Sequence, residues 1–203
     1  TTMYIRPVVF ATEATIVASP SKEFSFFILC SPASAYYFNP LSVLIEDTFI
    51  RAAKGGVGYA KAAGNYAGSF YPTSLAIEKG FDQIVWTDSV NHKLIEEAGT
   101  MNIFFRINNK LITPEHTDTI LDGVTRKSVI TVAKDSGIDV EIRDIEVSEI
   151  IQEYENGNLT EVFGAGTAAV IAPISSFGYK EKKYILKDID DAFGPIIKKK
   201  ITD

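Results

Sequence analysis

The chain is short of the residues that signal several kinds of chemistry. Its 203 residues include one cysteine, one tryptophan, two methionines and two histidines. A single cysteine, Cys30, can form no internal disulfide, and its place in the apolar run Phe24–Cys30 suggests a buried thiol in a reduced, cytoplasmic setting. His92 and His116, with no second cysteine, make a zinc site improbable, and no other metal site is expected. That same run, "FSFFILC", is far short of the roughly 20 apolar residues that span a bilayer, and no basic-then-apolar leader opens the chain. Positive charge is also scarce. A formal net charge of −6 argues against a nucleic-acid binder, which needs a basic face to displace counterions. The "KKK" run at Lys198–Lys200 reads instead as cations at a helix C-terminus.

What is present is the composition of an ordinary globular protein, 46% hydrophobic and 23% charged. Alternation and short apolar runs place strands near Met3–Thr12, Glu23–Ser31, Leu41–Glu46, Gln83–Thr87, Met101–Ile107 and Ile138–Ile145. Three more fall near Glu161–Phe163, Ala168–Ile174 and Lys183–Leu186, and "INNKLITP" reads as a hairpin turning at Asn108-Asn109. Helical patterns end at Gly80, Gly137 and Gly157, the second starting at "TRKSVI" and the third capped by Ser148, and a fourth covers Asp190–Ile201. Strands outnumber helices. The expected fold is α/β (α+β), a curled mixed sheet or pseudo-barrel with helices packed outside. Nothing marks an internal domain boundary, so 1–203 reads as a single domain whose first strand falls within 1–12. A chain that opens in a strand and closes in a helix reads as a piece of a longer protein.

Four stretches carry chemistry. "GGVGYAKAAGNYAGS" surrounds Lys61 with small residues and brings Tyr66 five positions later. The glycines allow close backbone approach, and a lysine held in a partly desolvated recess becomes a nucleophilic amine suited to Schiff-base chemistry. "IEEAGTMN" sets Glu97 before an apolar strand; Gly99 by itself would serve as a helix C-cap, but the carboxylate suits a protonated ring nitrogen. "LDGVTR" leads into a helix whose first N–H groups, at Val124 and Thr125, form an anion site. "FGAGTAAV" offers glycine-flanked amides and the Thr167 hydroxyl, and it lacks the spacing of a dinucleotide fingerprint. An amine, an acid, a phenol and two anion cradles together match the needs of pyridoxal 5'-phosphate (PLP).

With "GFDQIVWTD", "MYIRPVVFAT" and "SKEFSFFILCSPASAYYF" added, these stretches run in the same order and at compatible spacing over nearly the whole chain. The sequence resembles the branched-chain amino-acid aminotransferases, PLP enzymes of fold type IV, in their large C-terminal domain. The resemblance implies transfer of an amino group between Leu, Ile or Val and 2-oxoglutarate. It assigns Lys61 to the Schiff base with PLP and to proton transfer, Tyr66 to the cofactor's phenolic oxygen and Glu97 to its ring nitrogen. Val124, Thr125 and Thr167 would hold the phosphate. Thr100 and the backbone at Ala168 would meet the substrate carboxylate, and Tyr4 and Arg6 would line the substrate side. It also implies a homodimer working on small amino and 2-oxo acids, with no membrane or nucleic-acid partner.

The chain departs from the family in lacking a match to its N-terminal small domain and in stopping at "KKKITD". Tyr59 replaces a small or acidic residue, and the redox pair C-x-x-C of some members is absent. Pro72 falls where relatives have a continuous helix, so a kink is expected after Tyr66, or a helix starting near Tyr71. Two other readings remain: a folded fragment without turnover, and another fold-type-IV enzyme such as a D-amino-acid aminotransferase or an aminodeoxychorismate lyase.

Overall fold

A computed structural model describes residues 2–33 and 39–202 of the chain. The chain divides into two compact units, Thr1–Tyr36 and Tyr37–Asp203. Neither Gly/Pro-rich composition nor a charge run announces that division.

The first unit is an antiparallel ribbon of β1 (Thr2–Ala11) and β2 (Phe24–Ala33), in register from Thr2↔Ala33 to Ala11↔Phe24. A two-stranded ribbon has no second layer, so neither face is buried within the unit. Phe24, Phe26, Ile28 and Leu29 are exposed, and the Phe10 and Phe27 rings stack with centroids 5.5 Å apart. Cys30 is exposed too, contrary to the buried thiol expected from its apolar run. Tyr4 and Arg6 lie on β1, with the Arg6 guanidinium 4.8 Å from the centre of the Tyr4 ring.

The second unit is built on a sheet that closes on itself. Its strands are β3 (Leu41–Ile45), β4 (Gln83–Thr87), β5 (Ile95–Ala98), β6 (Met101–Ile107), β9 (Leu159–Gly166) and β10 (Val170–Tyr179). The ladder runs β10-β3-β4-β5-β6-β9 and back to β10, a six-stranded barrel. Closure works because the long strands change partner along their length. β10 pairs with β9 through Val170–Ile174 and with β3 from Ile174 to Gly178. β6 hands Met101 and Asn102 to β5 and Phe105–Ile107 to β7 (Lys110–Thr113). β8 (Val140–Ile142) extends the sheet beyond β7, and β11 (Lys182–Ile185) extends it beyond β10. The curled mixed sheet expected from the strand-rich pattern is therefore present, as a closed barrel.

Among the described residues four helices accompany it: α1 (Ala63–Glu78), α2 (Val124–Asp135), α3 (Val147–Glu155) and α4 (Phe193–Thr202). The first three end alike. Gly80, Gly137 and Gly157 all have φ near +80°, and each N–H there and at the next residue turns back onto the last helical carbonyls. α4 begins differently, with both carboxylate oxygens of Glu161 on β9 accepting from the N–H groups of Phe193 and Gly194 at 2.7 and 2.8 Å. That acceptor lies 32 residues away in sequence, so α4 starts later than the expected Asp190.

Several expectations fail for physical reasons. α1 runs from Ala63 to Glu78 with Pro72 inside it, so it does not start near Tyr71. The residue whose carbonyl Pro72 crowds is Gly68, which has no side chain and open space around it, so the backbone can adjust without breaking the helix. α3 starts at Val147 after Glu146, and Ser148 is in its first turn, its hydroxyl bonded to Glu146 Oε2 at 2.7 Å. Gly99 caps no helix: it is the first residue of a two-residue turn between β5 and β6, with φ +58°. β8 is three residues long, because Val140–Ile142 alone pairs with β7.

The barrel interior is a cluster that includes Val43, Val85, Ile103, Phe105, Val162 and Ile174. Outside it, Trp86 is fully buried with Leu44, Ala76 and Ile84 against α1. Its indole N–H donates to Gly99 O at 3.2 Å. Truncating Trp86 to alanine is expected to lower stability by about 3–5 kcal/mol, measured as a shift in denaturant midpoint at unchanged slope.

Candidate active site

The Gly99–Thr100 turn fixes one wall of a cleft in the second unit. Gly99 N–H donates to Ile84 O at 2.6 Å, and a side chain at Gly99 would strike the Gln83 amide. With φ at +58°, the left-handed backbone there favours glycine. The turn sets Thr100 at the cleft and Glu97 two residues before it on β5.

Glu97 is 2% exposed and receives two donors. Arg51 Nε lies 2.8 Å from Oε2, and the Leu121 N–H donates to Oε1. Burial pushes the Glu97 carboxyl up to about 7, against the pull of Arg51 and the Leu121 amide. Arg51, which the sequence reading passed over, is the hub of the site. Its Nη1 donates to Gly58 O and Thr119 O at 3.3 and 3.0 Å, and its Nη2 to Gly58 O at 3.1 Å. The available signal was an arginine in the apolar stretch "FIRAA", where an uncompensated charge would be costly.

The glycines before Lys61 serve the loop more than an incoming ligand. A Cβ at Gly58 would lie 2.6 Å from Ala52 Cβ and 2.8 Å from Thr119 Cα, so that glycine admits protein backbone. A Cβ at Gly56 would lie 2.8 Å from Ala53 O. Gly64 has nothing within 4 Å. Asn65 closes the loop onto α1, its Nδ2 donating to Val57 O and Ala60 O, both at 2.9 Å.

Lys61 leaves that loop one residue before the α1 N-cap, Ala62, and Tyr66 sits in the helix's first turn. This brings Lys61 Nζ 2.7 Å from Tyr66 OH. The cleft is lined by Arg51, Lys61, Tyr66, Glu97, Thr100 and Leu121, with the amine at its exposed side and the Glu97–Arg51 pair buried.

The start of α2 is tied to the same end of the barrel. Asn102, paired with Glu97 across the β5–β6 ladder, donates from Nδ2 to Leu121 O at 2.9 Å. A side chain at Gly123, the α2 N-cap, would collide with Asn102 Oδ1. Val124 and Thr125 follow as the first two helical residues, so their N–H groups have no intrahelical acceptor. Thr167 and Ala168 are exposed in the 167–169 turn between β9 and β10. A Cβ on neighbouring Gly166 would lie 3.8 Å from Thr100 O, which puts this turn beside the Gly99–Thr100 turn. Asn102 had no signal in sequence beyond its place in "GTMN".

Lys61, Tyr66, Glu97 and Thr100 thus share one cleft, with the Val124–Thr125 and Thr167–Ala168 stretches on segments fastened next to it. Tyr4 and Arg6 belong to the first unit. Among the described residues no cluster of three His, Cys, Asp or Glu side chains could hold a metal ion. No described helix is long and apolar enough to cross a membrane.

Burial pushes Glu96, next to Glu97 on β5, up to about 7 as well. Both folded values lie above the ordinary 4.5. The stability linked to these carboxyls is therefore full below about 4.5 and lost as pH rises through about 7. A Glu96→Gln/Glu97→Gln double variant should show a flatter dependence of unfolding midpoint on pH across that window, with other acids unchanged.

The amino-transferase class IV family model matches residues 2–177. The probable branched-chain-amino-acid aminotransferase of Staphylococcus aureus strain N315 is 46% identical over 190 residues, covering 92% of this chain and 53% of that protein. Branched-chain-amino-acid aminotransferase 2 of Bacillus subtilis is 44% identical over 185 residues, covering 90% and 51%. The chain spans about half the length of these curated relatives. Among solved structures, the branched-chain aminotransferase from Thermoproteus uzoniensis with norvaline superposes with a TM-score of 0.83 at 26% identity, covering 98% of this chain and 63% of that one. The PLP form of the Thermobaculum terrenum enzyme superposes with a TM-score of 0.78 at 27% identity, covering 97% and 61%. A barrel of this topology, these motifs in order and a family match over most of its length make the chain a member of the class IV aminotransferases.

Proposed function

We propose that the chain carries the cofactor-binding part of a branched-chain amino-acid aminotransferase. It would use PLP to move an amino group between leucine, isoleucine or valine and 2-oxoglutarate. The observation that carries this reading is the Lys61 amine, 2.7 Å from the Tyr66 hydroxyl, in a cleft that also holds the buried Glu97–Arg51 pair. The names of the relatives support the substrate class.

The donor set fits PLP. A primary amine, a phenol, a buried carboxylate and a helix N-terminus are what its aldehyde, phenolic oxygen, ring nitrogen and phosphate require. When bound, PLP supplies an aldehyde to take up the substrate amine and a ring that accepts the electron pair left at Cα. Lys61 does the proton work, accepting the Cα proton as a neutral amine and returning it on the other side of the exchange. Tyr66 orients that amine through their shared hydrogen bond. Glu97, with Arg51 behind it, would keep a proton on the ring nitrogen, because a cation there favours the ionised carboxylate. Val124 and Thr125, with the Thr167 hydroxyl, would hold the phosphate, and Thr100 and the Ala168 backbone the substrate carboxylate. Both half-reactions use one cleft, so turnover is ping-pong.

Adding PLP should give a visible absorbance band that Lys61→Ala removes, and leucine should then be transaminated. A band without turnover would restrict the activity to a longer protein; no band would overturn the reading. Preference for D-alanine over L-leucine would move the assignment to the D-amino-acid branch of the family. The proposal includes a homodimer for the full-length protein. The apolar residues exposed on the first unit support self-association of this chain as well, and a clean monomer in sedimentation at micromolar concentration would contradict that association. A cytoplasmic location is also part of it, resting on a single cysteine that leaves no internal disulfide to form.

A further inference from the structure

Strand β5 carries a second buried carboxylate for which the reading above has no task. Glu96 is 7% exposed and, by alternation along the strand, faces away from Glu97. Its Oε1 accepts from Thr119 Oγ1 at 2.5 Å, and Thr119 Oγ1 lies 2.9 Å from Thr117 Oγ1. Its Oε2 is buried and, among the described residues, has no hydrogen-bond partner. The charged groups that face Glu96 are Arg51, Asp88 and Asp118, with Glu97 beside it on the strand.

Charge counting decides what state suits this place. Arg51 is the one cation in that set, and its donors go to Glu97, Gly58 O and Thr119 O. Asp88 accepts from the N–H groups of Val90, Asn91, Lys93 and Leu94, which hold it ionised in spite of partial burial. An ionised Glu96 would add a further anion with one oxygen bare and no cation of its own. A buried charge without partners is far costlier than a neutral acid with one good hydrogen bond.

Thr119 is the joint between this acid and the cleft. Its hydroxyl bonds Glu96, its carbonyl accepts from Arg51 Nη1, and its Cα and O pack against Gly58. We propose that Glu96 is a positioning residue: as an un-ionised acid it holds Thr119, and through the Thr119 carbonyl it fixes the Arg51 guanidinium that faces Glu97. The direction in which burial shifts Glu96 agrees with this. The proton is held below about 7 and lost as pH rises through that value. The role rests on the reading that Glu97 meets the cofactor ring.

Two measurements test it. The first is infrared absorption of the cofactor-free protein at slightly acid pH, comparing Glu97→Gln with Glu97→Gln/Glu96→Gln. The first should show an un-ionised carboxyl band, lost as pH is raised through neutrality, that is missing from the second. Identical spectra at every pH would overturn the neutral state. The second is PLP titration near pH 6.5. Glu96→Ala should weaken binding by about tenfold, the scale of one buried hydrogen bond, and Glu96→Gln should restore it. Wild-type affinity in Glu96→Ala, or equal loss in Glu96→Gln, would overturn the positioning role. If the wild-type chain itself bound no PLP, the functional reading would fall on its own. Non-additivity of Glu96→Ala with Arg51→Ala in the unfolding midpoint would then support the link through Thr119, and simple additivity would break it.

Discussion

Lys61→Ala should cut leucine transamination by at least about a thousandfold, within the 10²–10⁴ range of a positioned acid–base group, and leave the fold intact. The two halves of that expectation have separate grounds. Lys61 is exposed, and the bond its amine makes in the structure is to Tyr66 OH, so truncation leaves no buried group stranded. Among the described residues, Lys61 is the only lysine that lines the cleft holding Glu97. Tyr66→Phe should be milder, because it loosens the amine without removing it. Steady-state rates beside circular dichroism spectra separate the two variants. A Lys61→Ala protein with near-normal rates would place the proton transfer elsewhere.

The second large effect is on stability. Arg51→Ala leaves Glu97 buried without its cation, and breaking such a pair costs about 3–5 kcal/mol. Because Glu97 can escape by taking up a proton, the loss should be largest above about pH 8 and smaller near pH 5. Adding Glu97→Gln to Arg51→Ala should recover part of it. Part will remain, since Arg51 also ties Gly58 to Thr119. A double-mutant cycle in urea at both pH values reads the coupling. An equal loss in both backgrounds would mean that the guanidinium acts through the loop carbonyls alone.

Much of the fold could be read from local pattern, and particular residues show where that stops. The three helix ends at Gly80, Gly137 and Gly157 were legible because positive φ at C′ is a property of glycine itself. The Asn108-Asn109 turn was legible for the same kind of reason, with φ of +50° and +62°. β5 was not, because all four of its residues are buried and two are glutamates, so it shows no alternation to detect. The α4 start depends on Glu161, an acceptor brought from another strand. A helix start near Tyr71 was misjudged because the cost of Pro72 depends on the residue four positions earlier, here Gly68.

The candidate site divides in the same way. Lys61, Tyr66 and Glu97 were recognised as chemical types in suggestive company, and the structure puts them in one cleft. Arg51, Asn102 and Glu96 act through contacts that close only when β5, β6 and the 117–121 segment meet. No spacing rule reveals such contacts. The glycines before Lys61 suggested clearance for a flat ligand, whereas Gly58 is there because Ala52 and Thr119 leave no space for a side chain.

The most direct test is to incubate the chain with PLP, reduce with borohydride, digest, and locate the added mass. The account predicts one label, on the peptide that carries Lys61, and its disappearance in Lys61→Ala. Label on Lys54 or any other lysine instead, or no label at all, would contradict it.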